Sequence, residues 1–161
     1  MAQSALRIGV AGLGTVGSAL VRILDKKAAA LAERCGRAMT VTGVSARDRS
    51  RDRDCDLSKV TWFDTPAALA ASDDIDVFVE LIGGEGDPAY SAVKQALEAG
   101  KHVVTANKAL LARHGVELAQ MAEERGLILN FEAAVAGGIP IIKTMREALT
   151  SNDVFRVYGI L

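Results

Sequence analysis

Short apolar runs alternate with helical repeats along the chain. Leu6 to Ala11 predicts a buried strand that runs into Gly12-Leu13-Gly14-Thr15-Val16-Gly17. Val16, Ala19, Leu20, Ile23 and Leu24 then recur at helical spacing. They predict one helix from Thr15 to Arg34, stopped at Gly36. Met39 to Ser45 is a second strand, and Val60 to Phe63 a short third one. Thr65-Pro66 opens a small helix, with Thr65 as cap and Pro66 in first position. Asp76 to Ile82 is another buried strand, ending in Gly83-Gly84. Asp87-Pro88 starts a helix whose apolar face is Ala89, Val93, Ala96 and Leu97, and Gly100 ends it. His102 to Thr105 is a strand, after which Asn107 caps a further helix. Leu127 to Phe131 reads as a strand, Ile141 to Leu149 as a helix opened by Pro140, and Val154 to Leu161 as a last strand. This alternation predicts an α/β fold: a Rossmann-like, doubly wound, mostly parallel sheet with helices on both faces.

Composition narrows the class. A length of 161 residues suits one domain, and a half-hydrophobic chain with 4% aromatics suits an α/β core of Val, Ile, Leu and Ala. A formal net charge of -1 gives no global attraction for nucleic acid or an acidic membrane, so neither is expected as a partner. Arg47 to Asp56 alternates Arg and Asp, which predicts a solvated loop of cancelling charge. Met1 to Ser4 lacks the basic and apolar stretches of a signal peptide, and no run reaches the length of a membrane span. Cys35 and Cys55 match neither a CxxC nor a metal spacing, in keeping with a reducing, cytoplasmic setting. The chain stops inside the apolar run 154–161, which predicts a piece of a longer protein.

Candidate chemistry gathers where strands end. Strand, Gly12-x-Gly14-x-x-Gly17 and helix form the context of a dinucleotide fingerprint. Gly12 permits the tight turn, Gly14 lets backbone approach a pyrophosphate, and Gly17 lets the helix pack on its strand. The N–H groups of Gly14, Thr15 and Val16 and the positive helix end then face the phosphates. Ser45 and Arg47 end the second strand where an acid would favour NAD; they suit a 2′-phosphate, hence NADP, with an ordinary loop charge as the other reading of Arg47. Gly83 is a further point of close ligand approach. Lys108 stands in the first turn of its helix, opposing the dipole, and is either ligand-facing or simply in water. His102 and His114 have no partner pattern and are given no catalytic role. Glu132, followed by small residues to Pro140, forms either a tight turn or a loop offering carbonyls to a hard cation.

Four stretches carry a family resemblance: 12–17, Val79-Glu80-Leu81-Ile82-Gly83-Gly84, Val104-Thr105-Ala106-Asn107-Lys108, and 132–142. Together, and in this order, they resemble homoserine dehydrogenase, with 157–161 similar to the start of that family's passage into a substrate domain. The resemblance implies an NAD(P)-dependent interconversion of aspartate 4-semialdehyde and homoserine, in threonine and methionine biosynthesis. It implies cofactor contacts at Leu13, Thr15 and Val16, a 2′-phosphate contact at Arg47, and Lys108 beside cofactor and substrate. It implies sodium at Glu132, Val135, Gly137 and Ile139. It divides the chain into a NAD(P)-binding domain, 1–150, and the start of a passage, 151–161, towards a substrate and dimerisation domain. The family's substrate acids and proton-donating lysine would lie beyond Leu161, so this stretch alone is expected to be inactive, and the full-length protein a homo-oligomer. The competing readings are a free-standing NADP-binding sensor or interaction module, and a dehydrogenase acting on another aldehyde or imine.

Overall fold

The computed structural model describes residues 4–159. Six parallel strands form one sheet in the order β3-β2-β1-β4-β5-β6. These are β1 Leu6–Ala11, β2 Met39–Ser45, β3 Thr61–Trp62, β4 Val77–Glu80, β5 His102–Thr105 and β6 Leu129–Asn130. The order reverses at β1, which pairs with β2 on one side and β4 on the other. That is the doubly wound arrangement, with a crevice at the carboxyl ends of the strands where the order changes.

Side-chain alternation along the strands feeds two cores. Ile8, Val10, Val44 and Val79 pack with Leu13, Val21 and Leu20 beneath α1, Thr15–Lys26. Ala11, Phe78, Val103 and Leu129 pack on the other face against α3 Pro66–Ala70, α4 Ala89–Glu98 and α5 Lys108–Glu124. Two strand glycines make room for α3 and for the loop that follows it. A Cβ at Gly43 would lie 2.6 Å from Leu69 Cδ1, and one at Gly9 would lie 2.9 Å from Ile75 Cδ1.

Most expected elements form, with instructive differences. The helix after β1 breaks at Lys27, which leaves helical dihedrals (φ -109°, ψ 16°), and α2 Ala28–Cys35 follows, ended by left-handed Gly36. The face of α1 turned to the sheet is Gly17, Leu20, Val21 and Leu24; Val16 and Ile23 are exposed, contrary to the expected stripe. Thr65 Oγ1 accepts the Ala68 N–H at 3.1 Å, as an N-cap does. The helix expected at Asp87-Pro88 begins at Ala89, and Asp87 Oδ1 accepts the Ser91 N–H at 3.0 Å. The strand expected over Leu127–Phe131 shrinks to two residues, because the Leu127 N–H turns back to the Ala122 carbonyl at 2.8 Å. Glu132–Val135 is a helical turn, α6, rather than irregular loop. The helix from Ile141 starts as α7 Ile141–Lys143 and widens into a π-helical turn, Thr144–Ala148. Residues 154–159 form no strand: they pair with no other strand, and Phe155 is 94% exposed. The rest of that expected strand, Ile160 and Leu161, lies outside the described residues.

At the amino-terminal end of the sheet Arg7 pairs with Asp76. Arg7 donates through Nε and Nη2 to the Asp76 carboxylate (3.3 and 2.6 Å), and the Arg7 N–H donates to Asp76 Oδ2 at 2.9 Å. The guanidinium holds the Asp76 carboxyl below its usual range, against the effect of burial. A folded-state pKa below the unfolded one gives stability that is complete above the unfolded value, about 4, and is lost as pH falls through the folded value. Asp76→Asn is therefore expected to cost about 1 kcal/mol at pH 7 in urea unfolding, with the deficit closing as pH drops below the carboxylate range. An equal deficit at pH 7 and pH 3 contradicts the ionic part of this contact.

Candidate functional site

The carboxyl ends of β1, β2 and β4 are sewn together by backbone bonds. The Gly12 N–H reaches the Ser45 carbonyl and the Leu81 N–H the Ala11 carbonyl, both at 2.8 Å. Each glycine of the fingerprint then has a separate geometric reason. Gly12 has φ +98°, and a Cβ there would lie 2.4 Å from the Leu81 carbonyl oxygen. A Cβ at Gly17 would lie 1.9 Å from the Gly12 carbonyl oxygen. Gly14 meets nothing within 4 Å, so its surface is open to a ligand. Gly14 caps α1 without any side-chain bond. The Thr15, Val16 and Gly17 N–H groups have no intrahelical acceptor and point out of the helix start. Thr15 and Val16 are exposed there.

Leu13 sits differently from its neighbours. Its side chain is buried in the α1 core, and its carbonyl accepts the Ser18 hydroxyl and Arg53 Nε, each at 3.2 Å. Only the Leu13 backbone N–H remains for a ligand. Arg53 was not legible in the alternating Arg/Asp run. It also donates to the Arg51 and Asp48 carbonyls and lies 5.3 Å from the Trp62 ring centroid, so it folds the loop after β2 back onto the glycine turn.

Arg47 is exposed at the end of β2 and pairs with no acceptor among the described residues. The neighbouring Asp48 carboxylate forms no ion pair with it and turns to Ser50 instead. Asp48 Oδ1 accepts the Ser50 N–H (2.9 Å) and hydroxyl (2.7 Å), which lower its pKa. Ser45 is buried, and its Oγ has no hydrogen-bond partner among the described residues.

Beyond the crossover, Gly83 and Gly84 take left-handed dihedrals in open space. Lys108 is exposed as the first residue of α5, next to Asn107, whose Oδ1 accepts the Leu110 N–H at 3.1 Å. His102 Nδ1 accepts the Ile128 N–H at 3.1 Å, and the His114 ring stacks on Tyr90 at 4.2 Å; both are structural contacts. Gly12 to Gly17, Arg47, Gly83 and Lys108 all stand at the carboxyl ends of β1, β2, β4 and β5, on one edge of one sheet.

Glu132 is also at that edge, with an unforeseen duty. Its Oε1 and Oε2 accept the Ile142 and Lys143 N–H groups, both at 2.8 Å, so it caps the start of α7 from a distance in sequence. The Ile139 carbonyl accepts the Ile141 N–H at 2.8 Å, whereas the Val135 and Gly137 carbonyls accept no backbone N–H among the described residues. Each carboxylate oxygen keeps a second acceptor site.

A family model described as the NAD binding domain of homoserine dehydrogenase matches residues 12–132. The homoserine dehydrogenase of Pseudomonas aeruginosa is 45% identical over 158 residues, which cover 97% of this chain and 35% of that protein. That of Bacillus subtilis is 40% identical over 159 residues, 99% of this chain and 36% of that protein. The crystal structure of a homoserine dehydrogenase from Thiobacillus denitrificans superposes with a TM-score of 0.84 at 41% identity, over 92% of this chain and 34% of that one. The chain thus spans about a third of the length of the curated relatives it matches.

The glycine geometry separates two substitutions. Gly17→Ala drives its methyl against backbone and is expected to cost at least about 2–3 kcal/mol in denaturant unfolding. Gly14→Ala has open space and φ -76°, and is expected to change stability by no more than about 0.5 kcal/mol. Equal losses at the two positions contradict this division of roles.

Proposed function

The chain belongs to the homoserine dehydrogenase family as its NAD-binding domain, and from that premise we propose that it holds NADP(H) for the interconversion of L-aspartate 4-semialdehyde and L-homoserine. The observation that carries the proposal is the helix start at Gly14 to Gly17: free N–H groups beside a glycine with open space, at the sheet's crossover. That is the chemistry a dinucleotide diphosphate needs. When bound, the cofactor exchanges a hydride with the carbon of the substrate.

This chain's own residues do the rest of the holding. The Gly14, Thr15, Val16 and Gly17 N–H groups receive the diphosphate, with Leu13 contributing backbone only. Arg47, at the end of β2 and unpaired among the described residues, receives the adenosine 2′-phosphate. Gly83 and Lys108 face the nicotinamide end, where the Lys108 ammonium places or polarises the substrate oxygen. Sodium is held by Glu132 and the carbonyls of Val135, Gly137 and Ile139. Val135 and Gly137 support this with free carbonyls; Glu132 would ligate while still capping α7. Residues 1–150 serve as the cofactor domain, and 151–161 lead towards the substrate and dimerisation domain of a homo-oligomeric enzyme. The proton-donating lysine belongs to that further part, and Lys108 does not replace it. The setting is cytoplasmic threonine and methionine biosynthesis. No helix of the described residues is long and apolar enough to cross a membrane. The family match favours this enzyme reading over a free-standing binding module.

Two outcomes check the reading. Calorimetric titration of Arg47→Ala should show NADP(H) weakened by about 1–3 kcal/mol and NAD(H) almost unchanged. Equal losses for both cofactors contradict the 2′-phosphate role. In the complete enzyme, Glu132→Ala should abolish the dependence of activity on sodium and the broadening of the sodium-23 resonance by the protein. A sodium response unchanged in that variant removes the ion from Glu132.

A further inference from the structure

Three buried polar side chains, Glu80, Thr105 and Asn107, join the Gly83–Gly84 turn to the start of α5. Glu80, at the end of β4, is fully buried. Its Oε1 accepts the Ile82 N–H at 2.7 Å and the Gly83 N–H at 3.1 Å, and its Oε2 accepts the Thr105 hydroxyl at 2.5 Å. Thr105 has one hydroxyl proton and gives it to Glu80. Its oxygen is then an acceptor, and it takes the Asn107 N–H at 3.0 Å. The Asn107 side chain works in two directions: Oδ1 accepts the Leu110 N–H, and Nδ2 donates to the Gly84 carbonyl at 2.7 Å. The bonds close a circuit from the Gly83–Gly84 turn, through the ends of β4 and β5, to the start of α5 and back.

Folding alone does not call for this circuit. Burying a carboxylate carries a desolvation penalty that an apolar side chain of similar volume avoids. Capping α5 needs only Oδ1, and Asp or Ser caps a helix as well as Asn does. A donor to the Gly84 carbonyl from the same side chain needs the amide. The feature that the full circuit adds is a fixed relation between the left-handed turn at Gly83–Gly84 and Lys108, the residue after Asn107.

We propose that Glu80, Thr105 and Asn107 are positioning residues that hold Lys108 in register with the Gly83–Gly84 turn. The proposal rests on the reading that Lys108 and Gly83 face substrate and cofactor. Dinucleotide affinity depends mainly on the other glycine turn, at Gly12 to Gly17, so detaching the circuit affects turnover more than binding. Misplacement of a reacting group by about 1 Å can cost on the order of 10²-fold in rate.

The test uses the complete enzyme, with Asn107→Asp, Thr105→Val and Thr105→Ser made singly and in a Lys108→Ala background. Asn107→Asp keeps the capping oxygen and turns the donor to Gly84 into a second acceptor that repels the carbonyl, so it detaches the turn and carries the test if Thr105→Val fails to fold. Asn107→Asp is expected to fold with a lowered melting temperature, to bind the dinucleotide within about threefold of the parent, and to lower kcat at least about tenfold. Thr105→Ser restores most of the kcat that Thr105→Val loses. In the Lys108→Ala background the Asn107→Asp and Thr105→Val losses disappear, as expected for residues that act through Lys108. Parental kcat in Asn107→Asp and Thr105→Val, or losses that multiply those of Lys108→Ala, overturn the proposal. A Lys108→Ala enzyme with parental kcat overturns it through its premise, and is told apart because the circuit is intact in that variant.

Discussion

The tightest of the glycine positions lies between the start of α1 and the end of β1. A single methyl on Gly17 would sit 1.9 Å from the Gly12 carbonyl oxygen. No side chain fits there, so the helix begins directly above the strand that feeds it. Gly12 in turn lies against the Leu81 backbone, too close for a Cβ. The first helix, the first strand and the segment after β4 are thereby locked at backbone contact. The free N–H groups of α1 then open onto the crevice where the strand order reverses. Every other residue assigned to the site is placed relative to that point.

Around this contact the strand ends differ in how they stop. β1 and β2 are tied by backbone bonds alone at Gly12 and Ser45. β4 stops at Glu80 because its own carboxylate captures the next two available N–H groups, Ile82 and Gly83, and turns the chain out of the sheet. β6 stops after two residues, and soon afterwards Glu132 reaches across to cap α7. The two carboxylates act on backbone in the same way. Each gives acceptors to backbone N–H groups at the carboxyl end of the sheet, Glu80 through Oε1 and Glu132 through both oxygens, and each shapes a loop too irregular for a ladder.

Local signals were the most legible in the sequence. The bounds of β1, β2 and β5, the caps at Thr65 and Asn107, and the stop at Gly36 follow from contiguous apolar runs and cap chemistry, and the structure places them where those rules do. The three fingerprint glycines were legible because each answers to backbone geometry within a few residues. What depends on contacts across the fold was not. The break at Lys27 interrupts a helical stretch whose composition carries no breaker. The apolar run from Val154 reads as a strand by composition, but a strand also needs a neighbour to pair with, and residues 154–159 have none among the described residues. The return of Arg53 to the Leu13 carbonyl and the grip of Glu132 on Ile142 and Lys143 join positions 40, 10 and 11 apart, which no periodicity encodes. The Glu80–Thr105 bond spans 25 residues, so a Glu inside an apolar strand reads only as an oddity until both strand ends are seen together.

Residue-resolved NMR of the chain titrated with NADPH tests the central claim most directly, that the dinucleotide lies across the carboxyl edge with its diphosphate on the α1 start. The amide signals of Gly14, Thr15, Val16 and Gly17 should shift most, with Arg47 and Gly83 next, while amides on the outer faces of α4 and α5 stay still. Largest shifts on those helix faces, with the Gly14 to Gly17 amides unmoved, would contradict the account.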